Sequence, residues 1–193
     1  MSAALKVAVI GSTRGTAMQG ILDAIRAGDL NVEIVLVASD REQAGILERA
    51  RTHNLSALFI PGKGRAREEF EADLTNALRA AGAELVLMIG FMRIVTPQFV
   101  NDWRGHLLNV HPSLLPLFAG GMNMDVHSAV LASGTDETGC TIHHVTEDVD
   151  AGPIVLQLRC PVLPDDTVES LQARVQALEQ QAFVQVLRDW RKR

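Results

Sequence analysis

Apolar positions along this chain fall into two rhythms that take turns. Unbroken short runs rich in branched side chains, LysValAlaValIle at 6–10, ValGluIleValLeuVal at 32–37, AlaLeuPheIle at 57–60 and GluLeuValLeuMetIle at 84–89, read as strands. The segments between them, 17–27, 41–52 and 66–81, space their apolar residues as helices do. Strand and helix in strict alternation predict right-handed crossovers that cover both faces of a parallel sheet. The expected fold class is therefore α/β: a doubly wound, mostly parallel sheet of Rossmann type.

Beyond residue 105 the rhythm changes. A strand is expected near 106–109, then a loop containing glycine, a helix at about 123–132, and strands near 138–145 and 153–160. A last helix is expected over about 166–190, opening with a cap-like AspThrValGlu in which Asp166 takes the N-cap and Glu169 comes three residues later. No repeat, low-complexity tract or linker interrupts the chain, and 193 residues with 47% apolar content suit one domain over 1–193.

Charge narrows the partners. A net charge of −5, spread without a basic stripe, gives no footprint for nucleic acid or an anionic membrane. The apolar run at 5–10 is too short for a signal-peptide core, and no run approaches the roughly 18 residues of a spanning helix. A soluble cytoplasmic protein is expected. Cys140 and Cys160 fall in expected strands without CxxC spacing, so they are read as buried, reduced core thiols. No spacing of histidine, cysteine and carboxylate points to a metal.

Three segments carry candidate chemistry. GlySerThrArgGlyThr at 11–16 turns a strand into a helix through small residues, which leaves backbone N–H groups at the positive helix end as a seat for phosphate or carboxylate. It matches neither the dinucleotide fingerprint nor the nucleotide phosphate loop. GlyPheMetArgIleValThrPro at 90–97 comes after a strand at the rim where α/β folds bind ligands, and its apolar residues and backbone amides suit a flat heterocycle. LeuLeuAsnValHisProSerLeuLeuPro at 107–116 and ThrGluAspValAspAlaGlyPro at 146–153 place an amide, Asn109, an imidazole, His111, and a carboxylate, Asp150, where an apolar strand breaks into proline-bounded loops. Two residues apart on an extended chain, Asn109 and His111 project to one side, Pro112 stiffens the backbone next to the ring, and Asp150 beside that ring would raise its pKa.

This set, in this order and over nearly the whole chain, resembles the folate-dependent formyltransferases. The resemblance implies that 10-formyltetrahydrofolate is the co-substrate, that Asn109, His111 and Asp150 are catalytic, and that residues up to about 100 lie on the substrate-phosphate side and 101–193 on the catalytic and folate side. It implies that Met92, Arg93, Ile94 and Val95 hold the pterin with Asn109 beside them, that Arg67 touches the folate, and that His143 stands behind the site. Gly15, Thr16 and Ala17 would hold a substrate phosphate, Ala17 departing from the polar residue usual there, and Glu179 would meet ribose hydroxyls. Glu179 lies four residues after Val175 on or beside the apolar stripe of the last helix. His53, His106, His127 and His144 are read as surface or packing residues.

Within the family, the amino-sugar and tRNA enzymes commonly continue HisProSerLeuLeuPro with an ArgGlyAla-type loop, whereas PheAlaGlyGlyMetAsnMet stands here. The hydrolytic branch has a second histidine where Pro112 stands. The implied reaction is formyl transfer to the amine of glycinamide ribonucleotide in purine synthesis, by a monomer or homodimer. The alternatives are formyl transfer to another amine, such as an amino sugar, and a non-catalytic module that binds folate or a phosphorylated metabolite.

Overall fold

Every second residue of the first strand faces a different helical layer, and that alternation organises the molecule. In β1 (Leu5–Ile10), Val7 and Val9 join one core cluster, while Ala8 and Ile10 join the other. The computed structural model of the chain describes residues 3–121 and 124–190. The first layer consists of α1 (Thr16–Ala27), α2 (Gly45–Thr52), α5 (Met124–Ser133) and α6 (Val168–Asp189), which bury Met18, Ile21, Ile46, Leu47, Val126, Val130, Val175 and Phe183. The second layer is α3 (Arg67–Ala80) and α4 (Pro97–Asp102), packed through Phe70, Leu74, Leu78, Phe99 and Trp103. Burying one such apolar side chain stabilises the fold by about 1.5–3 kcal/mol, so strands covered on both faces need apolar residues at nearly every position.

The strands form a seven-stranded sheet among the described residues, in the order β3, β2, β1, β4, β5, β6, β7. Here β2 is Val32–Ser39, β3 Ala57–Phe59, β4 Leu85–Met88, β5 Leu107–His111, β6 Glu137–His144 and β7 Ile154–Pro161. Pairing is parallel from β3 through β5 and antiparallel for β5 with β6 and β6 with β7. The expected doubly wound, mostly parallel sheet is what forms.

Several elements depart from expectation, among them α2, which begins at Gly45 and not at 41. α4 is not among the expected elements; it is six residues long, opened by Thr96, whose hydroxyl accepts from Phe99 N–H, and by Pro97 in the first turn. The N-cap of α6 is Thr167, not Asp166, and the residue that closes the capping box is Ser170, not Glu169. Asp166 instead accepts from Leu163 N–H and Ser170 and pairs with Arg174, so its carboxylate ties down the turn before the helix. β5 continues to His111, so Asn109 and His111 are both strand residues. In the 118–126 loop, residues 122 and 123 lie outside the described residues, as does the expected helix start at 123.

Candidate active site

Chain order reverses between β1 and β4, so the loops leaving these neighbouring strands diverge and open a crevice at their carboxyl ends. Ser12 braces the two loops. Its N–H donates to Gly90 O (2.9 Å), its hydroxyl donates to Asp40 (2.6 Å), and Met92 N–H donates to that hydroxyl (2.9 Å). The cleft that results is open to solvent. Met92, Arg93, Ile94 and Val95 line one wall, and Asn109, His111, His143 and Asp150 the other.

Strand register brings the polar wall together. β5 and β6 set Asn109 directly opposite His143 and His111 opposite Thr141, all four on the sheet face away from α6. Thr141 then fixes the chain after His111, because its hydroxyl donates to Ser113 O (2.7 Å) and accepts from Leu115 N–H (3.0 Å) and Gln157 Nε2 (2.9 Å). Asp150, from the β6–β7 loop, reaches both rings: Oδ2 lies 3.2 Å from His111 Nδ1, and Oδ1 lies 3.5 Å from His143 Nε2. Its φ of 54° puts a non-glycine residue in the left-handed region, a cost the surrounding contacts must offset.

Backbone groups of the loop after β5 complete the cluster. Gly120 N–H donates to Asp150 Oδ2 (2.9 Å), and His111 Nε2 donates to Phe118 O (3.0 Å). With acceptors at both nitrogens, the His111 ring is set to donate twice, as an imidazolium does. His143 Nδ1 lies 2.9 Å from His144 O, and its Nε2 lies 3.2 Å from Asn109 Nδ2 and 3.5 Å from Asp150 Oδ1, so this one nitrogen joins the amide to the carboxylate. The second N–H of the Asn109 amide remains for another acceptor.

Electrostatics correct one expectation. Burial is the largest influence on His111 and pulls its pKa below the ordinary histidine value, although the Asp150 carboxylate and Phe118 carbonyl pull upward. The expected upward pull of Asp150 exists, but desolvation outweighs it. For Asp150, burial works to raise the pKa, and it is outweighed by hydrogen bonding from His143 and Gly120 N–H and by the charges of both rings, which hold the carboxyl low.

The remaining expected residues divide into two places. Arg67 is exposed at the rim of the cleft, with Nη1 3.4 Å from Ile94 O. Arg93 lines the cleft, and its guanidinium lies over the Phe70 ring (4.6 Å) and 3.9 Å from Asp40. Gly15, Thr16 and Ala17 do not line the cleft; they form the N-terminal turn of α1, where Gly15, at φ 62°, is the N-cap. Glu179 also lies outside it, on α6, close enough to Cys140 of β6 for its charge to act on that thiol. The 90–95 loop, from the first half of the chain, lines the cleft together with β5 and β6, and α6, from the second half, packs against α1, because crossovers interleave the halves at one sheet edge.

Sequence reasoning missed Ser12 and Asp40, and it read His127 as a surface or packing residue. His127 on α5 is 2% exposed, its Nδ1 has no partner, and burial together with the charge of His111 lowers its pKa. Cys140 and Cys160 are buried and free. Among the described residues, no group of three or more His, Cys, Asp and Glu could hold a metal, and no helix is long and apolar enough to cross a membrane.

Comparison with known proteins places this arrangement. A formyl transferase family model matches residues 5–187. The chain is 35% identical over 184 residues to phosphoribosylglycinamide formyltransferase of Haemophilus influenzae, covering 95% of this chain and 85% of that one. It is 40% identical over 185 residues to the trifunctional purine biosynthetic protein adenosine-3 of Drosophila melanogaster, covering 94% of this chain but 14% of that relative's length. The structure of glycinamide ribonucleotide transformylase 1 from Symbiobacterium toebii superposes with a TM-score of 0.92 at 38% identity, covering 100% of this chain and 90% of the other. That of phosphoribosylglycinamide formyltransferase from Coxiella burnetii gives 0.91 at 38% identity, covering 97% and 87%. With its matched span running from β1 into the last turn of α6, the chain belongs to the formyl transferase family.

Proposed function

We propose that this protein transfers the formyl group of 10-formyltetrahydrofolate to the amine of 5-phosphoribosylglycinamide, giving formylglycinamide ribonucleotide and tetrahydrofolate. The observation that carries the reading is the Asp150 carboxylate between two imidazoles, with Asn109 beside them, on one wall of a cleft whose opposite wall is the apolar 90–95 loop. A module that only binds has no need of this cluster.

Each residue then has a task. Amine attack on the formyl carbon forms a C–N bond and pushes the carbonyl electron pair onto oxygen. That oxyanion takes hydrogen bonds from the remaining Asn109 N–H and from His111, whose Nε2 gives up Phe118 O to meet it. The attacking nitrogen must lose a proton and the departing folate nitrogen must gain one, and His111, steadied by Asp150, is the group built to carry it. His143 orients the Asn109 amide. The apolar rim at Ile94 (52% exposed) and Val149 (51% exposed) lies at the cleft mouth, where a heterocycle would cover it. Gly15, Thr16 and Ala17 offer the phosphate their N–H groups, for which the helix has no internal acceptors.

The test is to incubate the purified protein with both substrates and monitor tetrahydrofolate release. Turnover with glycinamide ribonucleotide and none with amino-sugar nucleotides is expected; tight folate binding without release would make the protein a sensor.

A further inference from the structure

A row of polar side chains crosses the antiparallel part of the sheet, starting at the polar wall of the cleft. Strand register sets His111 of β5 opposite Thr141 of β6, and Thr141 opposite Gln157 of β7, so the three stand side by side on the face away from α6. His111 lines the cleft, whereas Gln157, on the strand that ends the sheet, does not. What links them is a short stretch of loop laid over the row.

That stretch, residues 113–118, leaves β5 directly after His111 and Pro112. It can lie close on β6 because Gly139 has no side chain, and a Cβ there would stand 2.9 Å from Leu114 Cδ2. The Gln157 amide uses its N–H groups to hold it, reaching Leu115 O (2.9 Å) and Thr141 Oγ1 (2.9 Å). Thr141 is fully buried, and its hydroxyl also accepts from Leu115 N–H (3.0 Å) and donates to Ser113 O (2.7 Å). With two donors on its lone pairs, that hydroxyl has one direction left for its proton, toward Ser113 O. Ser113 in turn donates to Leu117 O (2.6 Å), and the next carbonyl, Phe118 O, meets His111 Nε2 at 3.0 Å. Two residues on, Gly120 N–H reaches Asp150.

We propose that Gln157 is a positioning residue for formyl transfer: by donating to Leu115 O and to Thr141 it fixes the course of the 113–118 loop, and through that loop the setting of the His111 ring. This rests on the reading that His111 carries the proton of the transfer. Gln157 touches neither substrate; it acts on the chemistry through the loop alone. Displacing a reacting group by about 1 Å can cost about a hundredfold in rate, and the loop meets the ring at the nitrogen that turns to the oxyanion. Gln157→Met fills the space without donors. Gln157→Glu keeps the outline but as a carboxylate can only accept, so the Thr141 proton turns to it from Ser113 O, and Leu115 O loses its donor.

The experiment measures kcat and both KM values for wild type, Gln157→Met, Gln157→Glu, Thr141→Val and the double variant Gln157→Met with Thr141→Val. Heteronuclear NMR follows the histidine ring nitrogens, and thermal melts verify folding. A fall in kcat of about fivefold to twentyfold is expected in Gln157→Met, and a larger one in Gln157→Glu, with both KM values within about twofold of wild type. The His111 Nε2 signal moves in both variants, while that of His53 at the end of α2 stays in place. In the Thr141→Val background the loss from Gln157→Met shrinks, because the two side chains share one network. A lowered melting temperature with unchanged kcat and an unmoved His111 signal makes Gln157 a packing residue and overturns the proposal, as do fully additive losses in the double variant. If wild type releases no tetrahydrofolate, the formyl-transfer reading fails by itself, and the His111 signal still decides whether Gln157 sets the ring.

Discussion

Asp150 Oδ2 lies 3.2 Å from His111 Nδ1, while the other oxygen of the same carboxylate lies 3.5 Å from His143 Nε2. One acid therefore steadies the ring proposed to move the proton and the ring that orients the Asn109 amide. Asp150→Asn keeps the volume and removes the charge from both. A fall in kcat of about tenfold to a hundredfold is expected, with thermal stability near wild type; His111→Ala and Asn109→Ala should each cost about a hundredfold. Near-normal tetrahydrofolate release from Asp150→Asn would remove the carboxylate from the reaction.

Stability should depend on pH through two groups with opposite signs. His111 and His127 have folded-state pKa values below 6.5, so as pH falls through about 6.5 the unfolded chain takes up protons that the native state refuses, and stability drops. Glu179 is raised from 4.5 to about 8, so between those values the unfolded chain releases a proton that the native state keeps, and stability drops as pH rises. Glu179→Gln should therefore be more stable than wild type at pH 7, by about 1–3 kcal/mol once partial exposure of the side chain is allowed for. His127→Gln should flatten the acid side. Urea unfolding at a series of pH values reads both slopes, and a destabilised Glu179→Gln at pH 7 would contradict the assignment.

Much of this was legible in the sequence, for a physical reason. Strands covered on both faces must be apolar almost throughout, so β1, β2 and β4 announce themselves, as do the helical stripes between them. Pairing direction is written in no periodicity, and nothing in the residues of β6 and β7 states that they run antiparallel. α4 is too short to show a stripe, and ThrPro before it reads as loop. At the site, Asn109, His111 and Asp150 are side-chain chemistry and could be read from residue types. Phe118 O and Gly120 N–H are backbone groups, available to any residue, and could not. Asp40 left one usable signal, an acid directly after a buried strand. His127 left another, a histidine between Val126 and Val130 on an otherwise buried helical face.

The contact of α1 with α6 gives a prediction in which two effects oppose each other. Alanine in place of a glycine inside a helix is ordinarily favoured by up to about 1 kcal/mol. At Gly20, however, the new Cβ would stand 2.7 Å from Gln180 Cβ and 3.0 Å from its carbonyl oxygen, so the helices must part. Overpacking of that kind costs about 1–3 kcal/mol and should win. Gly20→Ala is expected to lower the melting temperature and to raise KM for glycinamide ribonucleotide more than KM for the folate, since Gln180 adjoins Glu179. A stabilised variant would show that the helices yield freely there.

Ser12 offers a test of how the wall proposed to hold the folate is braced. Its hydroxyl is both donor to Asp40 and acceptor from Met92 N–H, so Ser12→Ala strips one buried-side partner from each. Leaving such groups unsatisfied costs about 1–3 kcal/mol, part of which water entering from the open cleft can recover. The 90–95 loop carries Met92 through Val95 into the cleft, and without this brace it should sample positions in which the wall is displaced. The expected outcome is a rise of about threefold to tenfold in KM for 10-formyltetrahydrofolate, with kcat reduced far less than in Asp150→Asn, because the polar wall on β5 and β6 is untouched. Thr141→Val, which loosens the chain after His111 instead, should do the reverse and lower kcat with little change in folate KM. If both substitutions act on the same kinetic constant, the two walls are not held independently, and the separation of binding from chemistry drawn from their hydrogen bonds fails.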